Sequence, residues 1–244
     1  MSKTRVLSLS AGAYALFALA GPAHAVAQES IDTPYRWIEK GLRAAAFGGY
    51  VSASRGVLDM GPGSTSVFGG RIRARVSSPL SLELSLGFGS SDRFVVDPEL
   101  PTGPGVIDTV GVNWLLAEAG MQIALTGART LHRFQPYIIF GAGFLRGLSE
   151  VQSDRLPLPV FGPTTRFAVN TAPVAQAGIG AEWLPGGRIG IGFEARDHLW
   201  RLKSPDGFFT QAVLDRIEEL GVPAPKESEW TNNVELSVSI WYYF

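Results

Sequence analysis

The chain has 244 residues, with 29 glycines, 14 phenylalanines and no cysteine, and its 21 Lys+Arg nearly balance 22 Asp+Glu. That balance leaves no cationic footprint for nucleic acid, so no nucleic-acid partner is expected. Without cysteine there is no disulfide framework, thiolate metal site or thiol nucleophile. The length suits one sizeable domain or one barrel of modest strand number.

Lys3 and Arg5 precede an apolar run of 15 residues, Val6 to Ala20, which Gly21-Pro22 ends. Ala23-His24-Ala25 and Ala25-Val26-Ala27 each place small residues at cleavage positions. Residues 1–27 are therefore expected to be a secretory signal, cleaved after 25 or 27. An uncleaved anchor is the alternative, but the run is short against the ~20 residues that span a bilayer. Loss of Lys3 and Arg5 leaves 19 basic against 22 acidic residues. No later stretch holds 18 consecutive apolar residues, so helical spans are not expected and the protein is exported. Residues 28–40, with Tyr35-Arg36-Trp37-Ile38, read as a short periplasmic segment against the membrane–water boundary, and 41–244 as the barrel.

From there the chain alternates with a period of two, as strands with two different faces do. Eight segments read as strands: 41–53, 69–76, 80–88, 109–125, 136–148, 175–183, 189–198 and 233–244. In the third, Leu80, Leu82, Leu84, Leu86 and Phe88 alternate with Ser81, Glu83, Ser85 and Gly87. In the last, Val234, Leu236, Val238, Ile240, Tyr242 and Phe244 alternate with Asn233, Glu235, Ser237, Ser239, Trp241 and Tyr243. Two strands resist. Trp114 shares parity with Glu118 and Gln122, so a bulge or a shifted boundary is one reading there, and 136–148 has no assignable face.

Long links (54–67, 90–108, 149–171, 199–231) alternate strictly with short ones (77–79, 126–135, 184–187). Short periplasmic turns and long extracellular loops make that pattern in outer-membrane barrels, and an even strand count puts both ends in the periplasm. Ten of the 16 prolines fall in the long links, where no ladder hydrogen bond is lost. The expected fold is all-β: an eight-stranded antiparallel up-and-down transmembrane β-barrel in the cell outer membrane.

The polar faces carry Arg43, Arg71, Arg73, Arg75 and Arg196 against Glu83, Glu118, Glu182, Glu194 and Glu235, with no lysine inside any strand. Guanidinium and carboxylate pair in bidentate fashion, which suits a crowded lumen better than an open surface. The opposite faces suit hydrocarbon, so outer-membrane lipid is the expected surround. Tyr137, Trp183, Trp241, Tyr242 and Phe244 on the turn side, and Tyr50, Phe88 and Trp200 near the loops, read as interfacial girdles. A soluble periplasmic barrel binding an apolar ligand is the alternative built from the same alternation.

The signal segment, the eight strands, the run Gln135-Pro136-Tyr137-Ile138-Ile139-Phe140-Gly141-Ala142-Gly143 and the terminal Trp241-Tyr242-Tyr243-Phe244 together resemble the OmpA/OmpX-like outer-membrane β-barrel superfamily. The resemblance implies that the last strand, through Tyr242 and Phe244, is the signal read by the barrel-assembly machinery. The chain stops at Phe244, so the peptidoglycan-binding domain of full-length OmpA-type proteins is not expected.

An eight-stranded lumen is just filled by side chains, so the charge ladder reads as structural, with proton or solute conduction the alternative. Lipid A-modifying enzymes on this scaffold need a histidine-centred nucleophile. His132 lies in a turn; Asp197-His198 reads as a barrel-rim pair, the alternative being a Ser-His-Asp set with a serine such as Ser90 or Ser91. No catalytic, cofactor or metal site is expected. Gly141-Ala142-Gly143, Gly178-Ile179-Gly180 and Gly190-Ile191-Gly192 lack the following helix that a nucleotide loop needs. Ser204-Pro205 and Gly221 bracket a helix with Phe209, Val213, Ile217 and Leu220 on one stripe. It reads as a closure of the barrel mouth, or else as a lid or docking surface. Leu156 to Phe161 is apolar enough to meet lipopolysaccharide, another protein or that helix.

Overall fold

The computed structural model describes residues 34–97 apart from 58 and 60, 105–148, 171–204, 209, 211–221 and 226–244. The expected signal segment and the apolar run Leu156 to Phe161 lie outside these residues. In chain order the elements are β1 (Tyr35–Trp37), β2 (Leu42–Ala53), β3 (Thr65–Arg75), β4 (Leu80–Asp97), β5 (Gly105–Ala124), β6 (Arg129–Leu131), β7 (Phe134–Gly147), β8 (Ala172–Gly186), β9 (Ile189–Lys203), α1 (Gln211–Leu220) and β10 (Ser228–Tyr243).

β2, β3, β4, β5, β7, β8, β9 and β10 form one antiparallel wall, each bonded to the next, and β10 closes onto β2 from Asn233↔Ala53 to Tyr243↔Arg43. Closure leaves no open edge, so every backbone group within the wall can be paired without water. The faces settle what surrounds it. Along β10, Leu236 is 63% exposed and Ile240 61%, while Asn233, Glu235 and Ser239 are at most 1% exposed. The same inversion runs through Ile72, Leu84, Phe140, Ile179 and Phe193 outside and Arg71, Glu83, Glu182 and Glu194 inside. A soluble barrel buries its apolar face; this one buries its charges.

The strands run further on the loop side than alternation indicates. β4 continues to Asp97 and β5 begins at Gly105, with a register shift at Val95/Val96. β9 and β10 extend likewise to Lys203 and from Ser228. On the turn side Val76 leaves β3 and its N–H bonds to the Leu80 carbonyl. β5 has no bulge near Trp114: Val112, Trp114, Leu116, Glu118 and Gln122 all point inward. In β7, Gln135, Tyr137, Ile139 and Leu145 point inward, and Ile138, Phe140 and Phe144 outward.

Two further expectations are corrected and a third is extended. The helix spans only Gln211–Leu220, ended by Gly221 at φ 63°. Ser204 does not cap it; its N–H and Oγ instead bond to the Glu227 and Lys226 carbonyls at the top of the β9–β10 hairpin. The side chains of Val213, Ile217 and Leu220 lie outside the description. Residues 34–40, expected at the membrane boundary, also reach into the barrel. β1 pairs with β6, and Ile38 turns into the periplasmic mouth, buried with Trp241 and Tyr243. Arg75 holds that strap through the Ile38 carbonyl at 2.5 Å. Finally, Tyr137, Trp200 and Trp241 are no girdle residues: each is at most 1% exposed, inside the lumen.

Candidate functional site

The lumen is the candidate site, and period-two geometry builds it. Each strand contributes every second residue, so eight strands stack their inward side chains in tiers.

The middle tier is ionic. Arg73 donates to Glu83 through Nε at 2.8 Å and through Nη2, and reaches Glu194 at 3.0 Å. Arg196 bridges Glu83 at 2.7 Å, Glu194 at 2.6 Å and Gln176 at 3.0 Å. Arg71 meets Glu194 and, at 2.7 Å, Glu235. The Tyr137 hydroxyl also donates to Glu194, which therefore receives three guanidinium groups and one phenol. Nearer the periplasm, Arg43 donates to Gln122 at 2.7 Å and to the Tyr243 hydroxyl at 2.9 Å, and pairs with Glu182 at 3.3 Å. Tyr243 donates in turn to Glu182.

Nine of the ten expected lumen charges meet here. Arg75 does not; it sits at the periplasmic rim on backbone carbonyls of Ile38 and Lys40. His198 takes its place. The ring is fully buried, with Nδ1 2.8 Å from Glu118 and Nε2 3.2 Å from Glu235. Both nitrogens can donate only in the doubly protonated ring, and five positive groups then face five carboxylates. The expected Asp197–His198 rim pair is thus corrected: strand parity sends Asp197 to the other face, where it accepts from Asn232 and the Asn233 N–H. Ser91 accepts from Trp114 Nε1 at 3.3 Å, while Ser90 is exposed with its carbonyl taken by Thr65.

Above the charges sits an apolar tier that sequence reasoning missed. Phe47, Val51, Val67, Val112, Trp114, Leu116, Leu145, Ala172, Val174, Trp200 and Leu202 form one buried cluster at the extracellular half. Trp114 and Trp200 meet edge to face at 5.9 Å. Phe47 marks the boundary, with the Arg71 guanidinium 3.7 Å over its ring. The signal was parity: Trp200 continues the series Glu194, Arg196, His198. Below the charges, Ile38, Trp241 and Tyr243 form an apolar floor, and Arg73 lies 4.2 Å over the Trp241 ring. Glycines make room for the rings: a methyl at Gly89 would lie 2.2 Å from Trp114, and one at Gly180 would lie 2.6 Å from Tyr137.

Among the described residues no group of three His, Cys, Asp or Glu side chains is arranged to hold a metal. No helix of the described residues is long and apolar enough to cross a membrane.

A closed antiparallel wall of eight strands, apolar outside and ionic inside, defines an outer-membrane β-barrel protein. This is the architecture that the OmpA/OmpX-like resemblance implied. No family model matches the chain, and no curated protein matches it. Among solved structures it is similar to the E. coli outer membrane protein W (14% identity, TM-score 0.46, covering 84% of this chain and 98% of that one). It is also similar to Neisserial surface protein A (10% identity, TM-score 0.43, covering 87% and 98%). A third is the outer membrane protein AlkL (15% identity, TM-score 0.43, covering 84% and 90%). The barrel assignment rests on this chain's own strand ladder and inverted faces.

Proposed function

We propose that the protein is a non-enzymatic outer-membrane barrel with a structural or surface-interaction role, its lumen a rigid support and its extracellular end the working part. One observation carries this reading: the charged tier lies between two apolar tiers, Trp114 and Trp200 above and Ile38 and Trp241 below. Charges sealed in this way can hold a barrel together but have no solvent route along which to pass a solute. The strand lengths add support. β4 and β5 have 18 and 20 residues, where ~9–11 span a membrane. The surplus raises the β4–β5 hairpin well clear of the lipid on the loop side. His198 counts against a lipid A-modifying enzyme on this scaffold. Both its nitrogens face carboxylates, and Trp200, two residues along the same inward face, belongs to the apolar tier.

In the same reading, residues 1–27 are removed on export, lipopolysaccharide surrounds the loop side, and Tyr242 and Phe244 guide insertion by the assembly machinery. The test is a deletion strain complemented with wild type, with a version whose residues 98–104 and 149–170 are replaced by short Gly/Ser links, or with His198→Ala. Loss of the surface phenotype in the trimmed version, with a heat-modifiable barrel and unchanged lipid A mass, is the expected result. A lipid A mass change abolished by His198→Ala would assign an enzyme instead. Reproducible porin-sized conductance steps would assign transport.

A further inference from the structure

The outward face of the wall does not end at the periplasmic end of β7. Phe134 shares parity with Ile138 and Phe140 and is 46% exposed on the lipid side. Across the two-residue turn His132-Arg133, both at positive φ (49° and 70°), Phe134 opposes Leu131 of β6. Two positive φ values make the tight hairpin turn that keeps opposed residues on one side. The same register sets Leu131 opposite Tyr35 and Arg129 opposite Trp37. Tyr35, Trp37, Arg129, Leu131 and Phe134 therefore share one side, while Thr130, on the other side, is buried at 2% exposure. The lipid-facing surface is prolonged below the barrel as a small aromatic skirt.

Its chemistry changes on the way. Trp37 is 65% exposed, and the Arg129 guanidinium lies 4.5 Å over its ring. Arg133 occupies the turn. Residues 34–41 and 125–136 together hold Arg36, Lys40, Arg129 and Arg133 against one carboxylate, Glu39. Amphipathic rings sit at the boundary between acyl chains and headgroups, and guanidinium binds phosphate in bidentate fashion. We propose that the outward face of the β1–β6 ribbon binds the phosphodiester headgroups of anionic phospholipids in the periplasmic leaflet. Arg129, held by Trp37, and Arg133 take the phosphate, while Tyr35, Leu131 and Phe134 lie against the glycerol and first methylenes. The occupant is a lipid because the ribbon continues the lipid-facing wall without a break. The inference rests on the membrane-barrel reading and on the periplasmic placing of the short turns.

The experiment uses the full mature chain in vesicles doped with brominated phosphatidylglycerol or brominated phosphatidylcholine at equal mole fraction. The Trp37 signal is the difference between wild type and Trp37→Phe. Phosphatidylglycerol is expected to quench it several-fold more strongly. The Arg129→Ala/Arg133→Ala double variant should bring the two lipids to near-equal quenching, since each cation at an anionic membrane surface contributes up to about a fivefold preference. Arg129→Lys/Arg133→Lys should keep most of it. If the double variant gives no heat-modifiable barrel, Arg133→Ala, outside the β1–β6 ladder, carries the comparison. Equal quenching by the two lipids in wild type, an undiminished preference in the alanine variant, or no quenching by either lipid overturns the proposal. A conductance or an enzymatic activity would overturn the proposed function and leave this ratio unchanged.

Discussion

The lower and upper halves of the lumen are built from the same strands and the same parity, yet hold the barrel by different physics. Below Phe47 the inward residues interlock as ions: Glu194 alone joins Arg71, Arg73 and Arg196 from two strands. Above it, Trp114, Trp200, Val51 and Leu145 pack as a soluble core would. The outward face gains little from burial, because lipid tails are as apolar as leucine. Stability has to come from the ladder and the lumen. Ion pairs fix which strand sits where, because a missing partner strands a buried charge. The apolar tier tolerates change more gradually, because its cost scales with the space left behind.

The sharpest way to break this contrast is Arg73→Met. It empties one Glu83 oxygen, leaving that carboxylate with Arg196 alone, and takes one of three cations from Glu194. The expected loss is about 3–5 kcal/mol in urea unfolding of the detergent-folded protein; a loss under about 1 kcal/mol would show that the tier is hydrated and weakly coupled. Next is Trp200→Ala in the apolar tier, expected to cost about 3 kcal/mol. Arg73 and Trp200 share no partner, so the double variant should be additive within about 0.5 kcal/mol. Marked coupling would merge the two tiers into one unit. His198→Ala, at the seam, strips one hydrogen bond from each of Glu118 and Glu235 and should cost about 2 kcal/mol. Glu235 keeps Arg71, so rescue by His198→Gln should be partial. The smallest effects lie at the last strand. Tyr243→Phe removes the hydroxyl shared by Arg43 and Glu182, for about 1 kcal/mol. Phe244→Asp, on the 58% exposed outward side, should cost only about 0–1 kcal/mol. The fraction of heat-modifiable protein after a pulse of expression should nevertheless fall further for Phe244→Asp than for Tyr243→Phe. Equal assembly would remove the assembly role proposed for the terminal residue.

The wall and its ionic tier were legible because arginine and glutamate on one parity cannot face lipid, so each such residue fixes the orientation of its whole strand. The apolar tier was not, because Trp114 to Leu116 and Ile138 to Leu145 are apolar on both faces and erase the alternation. Carrying the parity of Glu118 upward through Leu116 and Trp114 would have found it. Arg75 and His198 exchanged places for a reason parity alone does not contain: strand stagger decides how deep along the axis a residue lies. β1 and β6, at three residues each, are too short to show any period.

The glycines that face the lumen rings also say how such a sequence can change. Trp114 lies flat on Gly89, and Tyr137 on Gly180, so neither glycine can gain a side chain while its ring remains. Gly89 and Trp114, like Gly180 and Tyr137, are register partners on adjacent strands, so a substitution that enlarges one strand becomes acceptable only after its neighbour has shrunk, and the reverse. Descendants of this chain would therefore drift by paired exchanges of bulk between neighbouring strands. What they inherit is a total interior volume and a charge balance, with the individual letters free to move from strand to strand.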